Sequence, residues 1–117
     1  MAIKAREKNR IDVLQGTLDM LILQILQWGP RHGLDIANTI RTKSEDLLKI
    51  EAGTLYPALH RLEQQGGLAA EWKTSEKGQR AKYYRLTRAG KKQLLAEQSK
   101  WERLLKAIHL VMRPTEG

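Results

Sequence analysis

The 117-residue chain contains no cysteine, which excludes disulfides, thiolate nucleophiles and cysteine-ligated metals. Phenylalanine is absent too, and aromatics make up only 5% of the residues. That is sparse for the exposed aromatic sheet on which single-stranded RNA is usually stacked and read. No long hydrophobic run occurs. The strongest, residues 18–28, is interrupted by Asp19, Gln24 and Gln27 and falls short of the roughly 20 apolar residues that a membrane span requires. The basic N-terminal residues are not followed by the apolar segment of a signal peptide, so a cytoplasmic protein with no membrane partner is expected. The histidines, His32, His60 and His109, fall on separate predicted elements. His32 and Asp35 together supply two ligands, which do not make a metal site. No glycine-rich loop opens a helix as a phosphate cradle would. Catalysis, a resident metal and a cofactor are therefore not expected.

Acidic residues are scarce relative to basic ones. Lysine and arginine total 21 against 13 aspartates and glutamates, a net charge of +8. A surplus of that size in one small domain points to a polyanionic partner.

Hydrophobic spacing gives the element order. Leu18, Leu21, Ile22, Ile25 and Leu26 repeat at the interval of a core-facing helix, stopped by Gly29-Pro30. A second, shorter helix is predicted over residues 33–41, with Leu34, Ala37 and Ile40 inward. A polar break at residues 43–46 follows. A third helix begins near Gly53 and is closed by Gly66-Gly67, with Pro57 confined to its start because proline lacks the N–H that later turns need. Two strands, residues 68–73 and 81–86, flank a polar turn containing Gly78 and form a hairpin. Thr87 is the expected N-cap of a long last helix reaching about Met112. The fold class is thus mainly α with a β-hairpin.

On the third helix, placing Leu55, Leu59 and Leu62 inward leaves an opposite arc of Gly53, Pro57, His60 and Gln64, flanked by Thr54, Tyr56 and Arg61. These side chains carry donors and acceptors able to meet base edges or phosphates, and the helix N-terminus favours an anion. The hairpin adds cations. Lys73, Lys77, Arg80, Lys82, Arg85, Arg88, Lys91 and Lys92 lie between residues 71 and 92, opposed there only by Glu71 and Glu76, as a segment following a phosphate backbone would need. Glu63 is expected to be a structural ion-pair partner, since a carboxylate facing DNA would be repelled.

Four ordered blocks now carry a resemblance: Leu14-Gln15-Gly16-Thr17-Leu18, His32-Gly33-Leu34-Asp35-Ile36, residues 53–63, and residues 80–87. Over about residues 11–90 the chain resembles the PadR family of bacterial transcription regulators. The resemblance implies a winged helix-turn-helix, with the third helix in the major groove of double-stranded DNA and the hairpin as a wing on its backbone. It implies a homodimer held by C-terminal helices, and repression as the usual outcome. Carried over by position, DNA contacts are expected from Thr54, Tyr56, Pro57 and His60, with Arg61 and Gln64 from the same arc, and from Lys77, Arg80 and Lys82 on the wing. The implied organisation is a basic arm (residues 1–10), a winged unit (11–87) and a dimerisation helix (88–113). The chain departs from the family pattern at Gly67, where many members carry a bulky residue, so a looser junction is expected there. Its C-terminal part is a single helix, as in short members.

The last helix has a seam of Leu94, Gln98, Trp101, Leu105, Ile108 and Met112, spaced alternately by four and three residues. That spacing is near the period of a helix packed lengthwise on another. The small domain covers only part of it, so a symmetric dimer is expected. Some members of the family hold flat aromatic compounds between dimer-related aromatic side chains, and Trp101 is the position where such an effector would lie. The alternative reading is a winged-helix adaptor for protein or RNA that does not bind specific DNA.

Overall fold

The computed structural model describes residues 16–115; the expected basic arm and the beginning of the winged unit lie outside them. Helix α1 runs over residues 16–26. Leu18, Ile22, Ile25 and Leu26 are buried as the spacing predicts, and Leu23, off that stripe, is fully buried as well. Three successive i→i−3 backbone bonds, from the N–H groups of Gln27, Trp28 and Gly29, tighten the exit, and Gly29 takes a φ of 134°.

Strand β1, Arg31–His32, pairs antiparallel with the hairpin. The sequence gives no sign of it, because two residues carry no periodicity. Helix α2, Gly33–Lys43, is capped by His32, whose Nδ1 accepts from the Asp35 N–H at 3.2 Å. Gly33, Ile36 and Ile40 turn inward. Leu34, expected inward, lies a quarter-turn off this face and is 62% exposed.

Helix α3, Ala52–Gln64, buries Leu55, Ala58, Leu59 and Leu62, an i, i+3, i+4, i+7 stripe. Pro57 is its sixth residue, past the first turn to which proline was expected to be confined. The Gly53 carbonyl thereby loses its helical partner, and Gly53 is exposed to water. The helix ends in a Schellman motif. Gly66, at a φ of 86°, donates to Glu63, and Gly67 donates to Leu62.

Strands β2 (Leu68–Thr74) and β3 (Arg80–Leu86) pair in register from Leu68↔Leu86 to Thr74↔Arg80. With β3 central, the sheet order is β1-β3-β2. The Ser75–Gln79 turn closes with Ser75 N–H donating to the Gln79 carbonyl at 2.6 Å, and Gly78 supplies its positive φ of 79°. Thr87 caps α4, Arg88–Met112, through Oγ1, which accepts from the Gly90 N–H at 3.0 Å and donates to the Gly66 carbonyl at 2.6 Å. The same residue therefore starts α4 and ties it to the end of α3.

The junction at Gly67 is tight rather than loose. Gly67 and Gly90 are both buried, and a Cβ on Gly90 would meet the Gly67 carbonyl and the Leu86 side chain. Glycine at both positions lets the wing's first strand lie against the start of α4. Leu94 is the last buried residue of α4; from Ser99 to Met112 every residue is exposed.

Candidate nucleic-acid interface

The wing, the start of α2 and, from α3, Tyr56 line a single groove of about 780 Å³. On α3, Thr54, Tyr56, Pro57, His60 and Gln64 are all exposed, as the helical wheel requires. Tyr56 stands against the start of α2: a Cβ on Gly33 would come within 2.6 Å of its Cε1. Glycine at that position is thus what allows the ring to lie across the helix junction, with its hydroxyl at the groove.

Across the groove, the register puts Leu68, Ala70, Trp72 and Thr74 on one face of the hairpin, with Leu86, Tyr84, Lys82 and Arg80 as their partners. Polarity rises along that face. Leu68 and Tyr84 are buried at the root, whereas Trp72 is exposed, and Lys77 and Arg80 stand exposed at the tip.

The cations differ in how they are held. Lys82 donates to Glu63 Oε1 at 2.9 Å, linking the wing to α3. That hydrogen bond raises the Lys82 pKa above its ordinary value. Glu63 is thus the ion-pair partner that its position on α3 suggested, and its mate is a wing lysine. Burial raises the pKa of the neighbouring Tyr84 hydroxyl, which keeps it neutral at the groove's floor.

Arg61 is engaged elsewhere. It donates through Nη1 and Nη2 to Asp19 at 2.7 and 2.8 Å, a bidentate bridge from α3 to α1, and its pKa is raised by that hydrogen bond. The wheel put Arg61 at the edge of the DNA arc, but the long side chain reaches back to a carboxylate 42 residues earlier in sequence. Asp19, read from sequence only as a break in an apolar run, is a buried ion-pair partner.

Known proteins share this sequence pattern and this architecture. The model of the family described as "Transcriptional regulator PadR-like family" matches residues 22–96. The chain belongs to the PadR-like family of transcriptional regulators. A solved transcriptional regulator from Clostridium thermocellum is 34% identical, with a TM-score of 0.80, and the match covers 87% of this chain and 99% of that one. A PadR family regulator from Eggerthella lenta is 32% identical at a TM-score of 0.76, covering 98% and 99%. A curated relative from Lysinibacillus sphaericus, described only as uncharacterized, is 31% identical over 107 residues, 92% of this chain and 98% of its own. Both solved relatives are described as transcriptional regulators. Among the described residues no three His, Asp or Glu side chains converge as a metal site, and no helix is long and apolar enough to cross a membrane.

On the PadR-like α4, the seam residues divide. Leu94 is buried in the protomer's own core, and the Gln98 side-chain amide donates to Gln24 Oε1 of α1 at 2.9 Å. Trp101, Leu105, Ile108 and Met112 are 37–75% exposed. Trp101 also borders a hollow of about 300 Å³ shared with Met20, Leu21 and Gln24.

Proposed function

We propose that this PadR-like regulator is a homodimeric, cytoplasmic bacterial repressor that binds an inverted-repeat operator. In this reading residues 11–87 are the DNA-binding unit and 88–113 the dimerisation helix. Thr54, Tyr56, Pro57, His60 and Gln64 enter the major groove, while Lys77, Arg80 and Lys82 follow the backbone. The carrying observation is that α3 presents an exposed polar face and that its Tyr56 lines one groove with Lys77, Arg80 and Lys82 of the cationic wing. Base edges are read by such donors and acceptors, and phosphates by such cations.

The exposed apolar side chains of α4, from Trp101 to Met112, support pairing with a second copy. A two-fold dimer would set two recognition helices on half-sites about 34–36 Å apart or a multiple of that. A planar aromatic effector, where one acts, lies at the hollow beside Trp101.

The division of labour is tested by two substitutions. Lys77→Ala is expected to weaken binding to every duplex and to make the salt slope shallower by about 0.9. His60→Ala is expected to reduce discrimination between operator variants by about 1–3 kcal/mol. A uniform loss from both would refute the assignment of specificity to α3.

A further inference from the structure

The cations of the wing account for charge but not for its one exposed large apolar side chain. Trp72 sits midway along β2 with 56% of its surface exposed, on the face where Leu68 and Tyr84 are buried. A solitary exposed apolar residue is ordinary on a protein surface. Trp72 is not solitary. The Arg80 guanidinium stands 5.6 Å from its ring centroid, Lys82 is its cross-strand partner, and Tyr56 faces the same groove from α3. An aromatic face set among cations matches the alternation of sugar and phosphate along a nucleic-acid strand. Folding gains little from half of an indole left in water, whereas burying it against a deoxyribose removes that surface on binding.

We propose that Trp72 is a DNA-contact residue: its indole packs on a deoxyribose of the strand lying in the groove, beside the phosphate that Arg80 neutralises. The inference rests on the DNA reading given above. It separates two components of wing binding. Arg80 supplies a salt-dependent part, through counterion release. Trp72 supplies a salt-independent part, through apolar contact. It also makes Trp72 a reporter, because an indole that moves from water to a sugar face changes its emission.

The test uses the full chain, with Trp72→Ala, Trp72→Phe, Arg80→Ala and the Trp72→Ala/Arg80→Ala double variant. Binding is measured at several salt concentrations on a duplex from upstream of the protein's own gene and on a scrambled duplex. Trp72→Ala is expected to lower affinity about tenfold at every salt concentration with an unchanged slope. Trp72→Phe keeps most of the affinity, and Arg80→Ala makes the slope shallower by about 0.9. The double variant binds more weakly than either single variant, and the DNA-induced change in tryptophan emission shrinks in Trp72→Phe. An unchanged melting temperature in Trp72→Ala establishes that the fold is intact. If Trp72→Ala binds like the unaltered protein, the inference falls while the DNA reading stands. If it flattens the slope as Arg80→Ala does, with no further loss in the double variant, Trp72 only positions Arg80 and the sugar contact is refuted. If the unaltered protein binds neither duplex, the DNA reading fails and takes this inference with it.

Discussion

Replacing Arg61 with alanine separates two roles that sequence reasoning merges. In the structure its guanidinium closes a bidentate pair with Asp19 at 2.7 and 2.8 Å, with side-chain exposures of 30% for Arg61 and 12% for Asp19. Opposite charges at such separations attract by about 6 kcal/mol at an effective dielectric of 20. The desolvation cost of bringing them together is of similar size, so the intact pair is near break-even. Removing one partner is different, because it leaves a mostly buried carboxylate without its counter-charge. Full burial would make that loss about 3–5 kcal/mol; the partial exposure of Arg61 reduces it to about 2–3 kcal/mol. Thermal unfolding at fixed protein concentration should show the melting temperature falling by roughly 10 °C or more. Asp19→Ala should cost a similar amount, and the double variant clearly less than the sum, since both singles break the same interaction. Below its melting temperature Arg61→Ala should still discriminate between operator variants. An unchanged melting temperature together with lost discrimination would refute the brace and make Arg61 a base reader.

The tight wing–α4 junction predicts that Gly90→Ala destabilises by about 1–3 kcal/mol through overpacking, although alanine is the better helix former; a raised melting temperature would refute it. Alkaline stability follows from the raised pKa values of Tyr84 and Lys82. The folded state holds both protons more tightly than the unfolded chain. Their contribution is therefore complete below the ordinary values of 10.0 and 10.5 and is lost as pH rises through the folded values. Glu63→Gln should remove the Lys82 part of that decline, as pH-dependent chemical unfolding would reveal. Trp101→Glu should yield a folded monomer, because the ring is already 37% exposed in one protomer and a charge buried between two copies would lack a partner; sedimentation of an intact dimer would reject the interface.

Much of this architecture is legible in the residues because it is local. The apolar stripe of α3, the Thr87 cap, the Gly78 turn and the Gly66-Gly67 terminus each follow from side-chain type and spacing. What escaped depends on partners distant in sequence. Strand β1 exists through its pairing with β3, and α2 packs with Ile36 and Ile40 inward, which leaves Leu34 exposed. A helical wheel ranks residues by angle alone, so it cannot tell that Arg61 reaches Asp19 or that Glu63 captures Lys82. The same limit hid Gly67: the glycine looked like slack, and its function is close approach to Gly90, which only the packed α4 discloses. In the candidate interface, the exposed face of α3 was readable from sequence. The groove that Tyr56 shares with the start of α2 and the wing was not, because it depends on tertiary contacts.

The central claim is specific recognition of duplex DNA by α3 and the wing together. Fluorescence polarisation tests it most directly, comparing the duplex upstream of the protein's own gene with a scrambled duplex at two salt concentrations. Salt-dependent binding that favours the native duplex by roughly a thousandfold is the expected result. Equal affinity for both duplexes at either salt concentration, or none for either, would contradict it.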